Sequence, residues 1–356
     1  MKVMTDLAPS FPDDSNPSAV AESLLDAPRL GIIPGLIWAF HVHEDGEASA
    51  LPVDQPVERA PQGWMWLHID LANVPATQWL AEAGLPEPAV VAMLSHDHHQ
   101  QLHAAGGVVY GILADLVREI HGAGDEVGYL HFIMTDRLLV TGRHRSLCAV
   151  EAARTTLEAG TTRLTHSASL LELIVEHVAD GIDGVADGLT AGLDDIEDQL
   201  AGRSIGLARR NLAGVRRTSV RLHRLLSGLR AVINRHERQG MNAVDPRLRL
   251  RTGRLAQRLD ELDHVVLEIR DRGYRLQDEV SATIGEETNR HLHILSILTS
   301  VLLPPTLVAG VFGMNTKDLP LTEHEGGFWW AMVLVIGSSI AAFVVLRALG
   351  ILKLRE

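Results

Sequence analysis

Four histidines in one short stretch have the chemistry to bind a transition metal: His96, His98, His99 and His103. On a helix, His96, His99 and His103 would share one face, and imidazoles are common zinc ligands. The stretch, however, runs from a helix end into a strand, where alternating side chains would divide the cluster between two faces. The sequence leaves two interpretations: a cytosolic metal site with His96, His98 and His99 as ligands, or a solvated polar loop.

A second candidate is a row of hydroxyl-bearing side chains far along the chain. Steps of seven and four residues back from Thr306 give the hydroxyl stripe, which consists of Thr306, Thr299, Leu295, Leu292, Thr288 and Ser281. These positions fall near one face of a helix, as the wall of a pore with a hydrophobic constriction requires. A threonine in a membrane helix also commonly donates its hydroxyl to its own backbone. The spacing fits both interpretations equally.

Two uncharged segments position this stripe. They cover residues 292–312 and 328–346, and each is long enough to cross a bilayer as a helix. Trp329 and Trp330 open the second segment at the depth of the membrane interface. Pro304 and Pro305 interrupt the first, so we expect a kink whose freed carbonyls face protein or water. A plain kinked membrane anchor is the simplest alternative.

Charge around the segments predicts their orientation. The loop between them carries Asp318, Glu323 and Glu325 against the single Lys317, whereas basic residues follow the second segment. By the positive-inside rule, the loop is outside and both termini are cytoplasmic. We therefore expect a multi-pass protein of the cell inner (plasma) membrane, in contact with lipid.

The preceding part of the chain changes from a β pattern to a helical one. Apolar runs predict strands over 36–42, 65–71, 108–117, 128–135 and 137–141, with short helices over 75–83 and 86–94. This is typical of an α/β domain with a mixed sheet. Helical periodicity then covers 170–200, 204–238 and the region from 247 onward. If the last helix continues into the first span, about 65 residues form a stalk roughly 100 Å long.

The net charge of −13 is unevenly distributed. Residues 1–202 hold about 9 basic and 30 acidic side chains, and residues 203–290 about 19 and 11. The basic zone includes Arg209, Arg210, Arg216, Arg217, Arg221, Arg224 and Arg230. Because no aromatic residues are interleaved and a strongly acidic helix lies next to them, we interpret these arginines as forming salt bridges between neighbouring helices and expect no nucleic-acid partner. The single cysteine, Cys148, excludes an intramolecular disulfide.

Together these patterns predict an α+β membrane protein of eight segments. They are a disordered N-terminal tail (1–34), a cytosolic α/β domain (35–165), a helical arm pair (166–245), a stalk helix (246–290), a first transmembrane helix (291–315), an external loop (316–327), a second transmembrane helix (328–349) and a cytosolic tail (350–356). Two spans in one chain cannot enclose a pathway, so a conduction role requires an oligomer.

The first span ends in the tripeptide Gly313-Met314-Asn315, preceded by Leu303-Pro304-Pro305-Thr306. With the terminal pair of spans, the stalk and the α/β domain, this resembles the CorA-type divalent metal ion transporters over residues 35–356. The stretches Gly63-Trp64-Met65-Trp66-Leu67-His68-Ile69-Asp70 and Gln78-Trp79-Leu80, with the arginine-rich second arm helix, are most similar to the ZntB zinc transporter branch. Met314 and Lys317-Asp318 depart from that branch, which often has an aliphatic residue and then Gly-Gly.

The resemblance implies a homopentameric funnel whose pore is built from five first spans. Asn315, with Gly313 and Met314, would form an entrance filter for a hydrated cation, because carboxamide oxygens accept hydrogen bonds from its waters without stripping them. Outside, Glu323 and Glu325 would attract cations. The remaining implied pore-lining residues are Thr306, Leu303, Thr299, Leu295, Leu292, Thr288 and Asp278, with Leu295 and Leu292 at the constriction and Asp278 near the cytosolic end.

We therefore expect a transporter that takes up zinc, with a magnesium (cobalt/nickel) channel as the alternative. No Cys, His or carboxylate lies between residues 295 and 312, which favours passage of a hydrated ion. Candidates for proton coupling are Glu286, Glu287, His291 and His293. A membrane-anchored structural or signalling coiled coil is the alternative of a different class. No nucleophile and base pair recognisably, so we expect no enzyme, and no cofactor beyond the transported ion.

Overall fold

The structure, a computed structural model, describes residues 29–59, 61–96, 99–119, 122–202, 204–238, 246–314 and 326–349. The chain divides into two compact units, residues 1–275 and 276–356. Most of the predicted N-terminal tail and external loop, and all of the C-terminal tail, lie outside the described residues. The first described segment is already a strand, so regular structure begins before residue 35, where we placed the start of the α/β domain.

The first unit is built on a seven-stranded mixed sheet in the order β3-β2-β5-β9-β8-β7-β6. Strands β5 and β9 are parallel and the other neighbours antiparallel. A separate antiparallel pair joins β1 to β4. The strands are β1 (Arg29–Gly31), β2 (Leu36–Val42), β3 (Ala48–Leu51), β4 (Val57–Glu58), β5 (Trp64–Asp70), β6 (Gln101–Ala105), β7 (Val108–Glu119), β8 (Gly122–Met134) and β9 (Leu138–Arg143).

Helices cover both faces of this sheet, as the alternation of side chains along β5 shows. Trp64 and Trp66 pack into one hydrophobic core, and Met65 and Leu67 into another. The second core is closed by α1 (Val74–Glu82) and α2 (Glu87–Leu94), and the first by α3 (Cys148–Glu158) and the long helices that follow. Because both faces are buried, the strand is apolar apart from His68 and the terminal Asp70.

The long helices are α4 (Ser167–Ala201), α5 (Ile205–Arg238), α6 (Thr252–Phe312) and α7 (Gly327–Ala348). The predicted helix that runs into the first span is confirmed as α6, which belongs to the first unit up to Arg275. It begins at Thr252 rather than near Arg247, because residues Pro246–Leu248 form a separate 3₁₀ turn. The predicted mixed sheet, long helices and two C-terminal apolar helices are all present.

Salt bridges link the long helices, and some involve the arginine-rich helix α5. The acidic helix α4 pairs with α6: Arg258 contacts Asp180, and Arg272 donates to Asp194 at 2.6 Å and to Glu197 at 2.9 Å. Of the α5 arginines, Arg230 makes ion pairs, and its partners Asp260 and Asp263 also belong to α6. Helix α6 therefore supplies both the cations for α4 and the anions for α5.

Candidate functional site

The second unit contains the two segments predicted to cross a membrane. Helices α6 and α7 each hold a stretch long and apolar enough for this, and those stretches are 0% and 6% buried. Large apolar side chains stand open on both, such as Leu303 at 63% exposure and Trp329 at 71%. A contiguous apolar surface of this extent is unfavourable in water. The unit therefore requires an apolar surrounding.

On the spanning part of α6, covered and uncovered side chains lie on opposite faces. The covered positions, three or four residues apart, are Ile297, Ser300, Val301, Pro304, Pro305, Val308 and Phe312. At 100° per residue they centre about 200° around the helix from Thr306. Helix α7 has one such covered face as well, at Ala331, Val335, Ser338, Ser339, Ala342 and Leu346. The covered faces were not predicted from the sequence, although apolar and small residues recur there every three or four positions.

The hydroxyl stripe lies on the uncovered face of α6. Its six members are all within about 40° of Thr306 on a straight helix. Leu292 and Leu295 are 57% and 58% exposed, and the stripe threonines are exposed too. Leu303 lies about 60° from Thr306, and the exposed Asp278 about 80° away. Asp278 would join the line if the helix followed the 3.5-residue repeat of a supercoil, since it is four heptads before Thr306.

Each threonine of the stripe donates its hydroxyl proton to its own backbone. Thr288 donates to the carbonyl oxygen of Ile284 at 2.8 Å, and Thr299 to that of Leu295 at 2.8 Å. Because a donating hydroxyl still has two lone pairs, its oxygen stays an acceptor toward the uncovered side. The two interpretations of the stripe, backbone bonding and pore lining, are therefore compatible rather than exclusive.

The two prolines sit inside α6 without ending it. Pro304 and Pro305 have no amide hydrogen, so the carbonyls of Ser300 and Val301 lose their usual helical donors. Both of those residues lie on the covered face, away from the stripe. Directly after the prolines, Thr306 donates to the carbonyl oxygens of Leu302 and Leu303, at 2.9 and 2.8 Å.

The tripeptide begins where α6 ends. The Gly313 amide donates to the Ala309 carbonyl at 2.9 Å, and the Met314 amide to that of Val311 at 3.3 Å. A Cβ on Gly313 would stand 3.1 Å from the Ala309 oxygen, so a side chain there would crowd the helix end. Met314 is 55% exposed. The predicted filter residue Asn315 and the acidic Glu323 and Glu325 lie outside the described residues.

The predicted histidine site is divided among different surroundings. His96 and His99 lie between α2 and β6, His103 is on β6, and His98 is outside the described residues. The His96 ring stacks on His144, with centroids 5.4 Å apart, and His103 stacks on Tyr110 at 5.5 Å. In the described part of the chain, no group of three or more His, Cys, Asp or Glu could hold a metal ion. With His98 outside it, the three-histidine site stays a prediction.

Similarity to known proteins covers most of the chain, including both the sheet domain and the two apolar helices. A family model described as CorA-like Mg²⁺ transporter protein matches residues 61–348. The zinc transport protein ZntB of Yersinia enterocolitica is 26% identical over 298 residues, which cover 82% of this chain and 89% of that protein. The divalent cation transporter CmaX of Pseudomonas aeruginosa is 28% identical over 325 residues, or 88% and 96%. The structure of full-length CmaX matches with a TM-score of 0.71 at 24% identity and covers 90% of this chain and 99% of that one, so the fold is shared.

Proposed function

Because the chain belongs to the CorA-like Mg²⁺ transporter family and is a divalent cation transporter, we propose that the ion it moves across the plasma membrane is zinc. Zinc is supported by the relatives that are named zinc transport protein, such as the Yersinia enterocolitica protein, which is 26% identical to this chain. The observation that carries the mechanism is the hydroxyl stripe on the uncovered face of α6. It offers a row of neutral oxygen acceptors, interrupted by Leu292 and Leu295, on the side of the helix opposite the covered face.

The stripe suits a cation that keeps its water. Neutral hydroxyl oxygens whose protons are already donated to the backbone can accept hydrogen bonds from the first hydration shell. Residues 295–312 contain no thiolate, imidazole or carboxylate, which are the groups that bind dehydrated zinc. A hydrated ion would thus pass along the stripe without being bound tightly. Leu292 and Leu295 would close the passage by dewetting when the ring they form narrows.

A pathway of this kind needs several copies of the chain. One stripe covers only one side of an ion, so we propose that five first spans turn their uncovered faces toward a common axis. Five copies of Asn315 would then ring the outer entrance, and Glu323 and Glu325 would raise the local cation concentration. The acidic loop between the spans and the basic residues after the second span support cytoplasmic positions for both termini. The arrangement of five spans removes the exposed polar oxygens of the stripe from lipid, where hydroxyls lacking further partners are unfavourable.

Proton coupling is the proposed source of energy for uptake. Glu286, Glu287, His291 and His293 lie within two helical turns of one another on α6, and all four are exposed. Their position just before the apolar stretch is where a proton could be exchanged as an ion leaves the pore. Imidazoles are suited to this because they change charge near neutral pH.

Ion uptake into proteoliposomes containing the full chain tests the proposal. Zinc and magnesium uptake are measured side by side, with and without a pH gradient, for the native chain and for Asn315→Ala. We expect zinc uptake that is faster than magnesium uptake, increased by the gradient, and lost in Asn315→Ala while the oligomer persists. Ser300→Ala, on the covered face, is the matched control and should transport normally. Uptake that survives Asn315→Ala would remove the proposed entrance filter.

Magnesium is the second candidate, and two observations favour it. The matching family model carries the description CorA-like Mg²⁺ transporter protein. In addition, Met314 in the tripeptide departs from the zinc branch. Faster uptake of magnesium than of zinc in the same assay would establish this alternative. Absence of flux for both ions, with the oligomer intact, would instead support a membrane-anchored structural coiled coil.

A further inference from the structure

The first unit contains a cavity of about 810 Å³ that the transport pathway does not use. One wall comes from β6 and β8, with Leu102, Val127 and Tyr129, and the opposite wall comes from helix α5. We call it the basic cavity, because α5 lines it with Arg221, Arg224 and Arg235. Its volume is that of a site for a small organic molecule.

At Arg224 and Arg235, the positive charge of the basic cavity has no anionic partner among the described residues. Its acidic lining residue, Glu126, is paired with Arg145 at 2.5 Å. Within the part of the chain that the structure describes, Arg224 and Arg235 have no carboxylate within 4.0 Å. Both guanidinium groups are exposed and keep their donors available. Guanidinium groups bind phosphate oxygens in a two-pronged geometry that an ammonium lacks.

A second cavity of about 350 Å³ adjoins this wall. It is lined by Arg216, Arg217, Val220, Arg221 and Arg224, so Arg221 and Arg224 belong to both cavities. This second cavity, which we call the basic shelf, runs along α5 and continues into the larger basic cavity. A ligand that uses both parts would carry its negative charge at one end only.

One part of the wall of the basic cavity is apolar and firmly built, and polar side chains such as Gln101 and His103 line the rest. Leu102, Leu225 and Val232 line the apolar part and are each less than 8% exposed. Beside them, the Gln100 amide donates to the Leu225 carbonyl at 3.0 Å and accepts from the Ala114 amide at 3.3 Å. Such an interior favours a flat, weakly polar group over a free inorganic anion, which would gain nothing from it.

We infer that the basic cavity binds a nucleoside phosphate, with its phosphates on Arg217 and Arg224 of the basic shelf and its base against Leu102, Leu225 and Val232. A phosphate alone would leave most of the volume unused, and a nucleoside alone would leave the arginines unpaired. A site of this kind on the first unit would let the metabolic state of the cell be sensed by the transporter. The inference does not depend on which cation is carried.

Calorimetric titration of the full-length, detergent-solubilised protein tests this, in EDTA so that metal complexes of the probes do not form. The probes are ADP, AMP, adenosine and pyrophosphate. We expect ADP to bind, and adenosine and pyrophosphate to bind at least about tenfold more weakly, since each lacks one half of the recognised chemistry. Absence of ADP and AMP binding overturns the inference. Pyrophosphate binding as tight as that of ADP overturns the role of the apolar interior.

Two double variants locate the site. Arg217→Gln with Arg224→Gln should weaken ADP binding at least about tenfold, because two charge-assisted contacts are lost. The matched control is Arg209→Gln with Arg210→Gln, which removes the same charge from exposed positions of α5 outside the cavity. The control should bind ADP as the native chain does. Equal weakening in both variants, or in neither, would show that ADP is not held by the basic cavity.

Discussion

The hydroxyl of Thr299 donates to the carbonyl oxygen of Leu295, 2.8 Å away, on the face of α6 that the second unit leaves uncovered. Thr288 makes the same bond to the carbonyl oxygen four residues before it. Thr306 donates to two carbonyl oxygens, those of the residues four and three positions before it. The helix thereby fixes the direction of each hydroxyl proton. What remains on the outer side of each threonine is an acceptor, the group that the waters of a hydrated cation can use.

Replacement of Thr299 tests this acceptor. Thr299→Val keeps the shape of the side chain but removes its oxygen, so we expect divalent cation uptake to fall about tenfold, the effect of one lost hydrogen bond of about 1.4 kcal/mol. Thr299→Ser keeps the oxygen and should retain most of the uptake. Uptake into proteoliposomes is the measurement, with Ser300→Ala as a control at the same depth on the covered face. Normal uptake by Thr299→Val would exclude the hydroxyl from the ion pathway.

Replacement of Gly228 in α5 is predicted to destabilise the protein because of Gln100. A Cβ at Gly228 would stand 2.2 Å from the Gln100 amide nitrogen. Gly228→Ala should therefore displace Gln100 from its two backbone partners and cost about 1–3 kcal/mol of unfolding free energy. Gly184→Ala on α4 is the control: it meets no atom within 4 Å and should stabilise by about 0.5–1 kcal/mol through helix propensity. Hydrogen exchange of α5 and α4 amides in the full chain measures both, and equal effects would contradict the prediction.

Asp263 and Arg272 both make salt bridges on α6, but we predict very different costs for their loss. Asp263 is 4% exposed and accepts from His223 at 2.7 Å and from Arg230 at 2.6 Å. Asp263→Ala leaves these partners without their shared carboxylate and should cost about 3 kcal/mol. Arg272→Met breaks a pair on the surface and should cost less than about 1 kcal/mol. Denaturation of the full chain measures both, and a larger effect for Arg272→Met would refute the ranking.

Asp115 is predicted to make stability depend on pH. Its carboxylate is buried at the start of α3, where it accepts from the Ala149 amide at 2.9 Å. Burial raises the pKa of Asp115 from 3.8 to about 7, against the opposing effect of the backbone hydrogen bonds. Because the folded form holds the proton more tightly than the unfolded form, this group's contribution to stability is greatest below pH 4. It is lost as the pH rises toward 7, by up to about 4 kcal/mol.

Asp115→Asn is the comparison for this pH dependence of stability, because the amide of asparagine does not titrate. We expect the native chain to lose stability relative to this variant as the pH rises from 4 to 7. Hydrogen exchange of the α3 amides, corrected for the intrinsic effect of pH, measures the difference. Parallel pH profiles for the two proteins would show that Asp115 titrates normally.

Much of the architecture could be predicted because it depends on local patterns. Strand β2 was predicted with its observed ends, since an apolar run buried on both sides has sharp limits. The edge strands β3 and β6 were missed because their side chains are mostly exposed and lack a pattern of their own. Helix α6 was predicted through the prolines, and its start was misplaced by the 3₁₀ turn at Pro246–Leu248.

The sequence by itself determined that two apolar segments follow an α/β part and that a row of hydroxyls shares one helical face, since both depend only on composition and on 100° per residue. Tertiary structure decided which face of α6 is covered, that α6 makes ion pairs with both α4 and α5, and that α5 and the sheet edge enclose the basic cavity. These depend on contacts between residues far apart in the chain, such as Gln100 with Leu225, which no local pattern encodes.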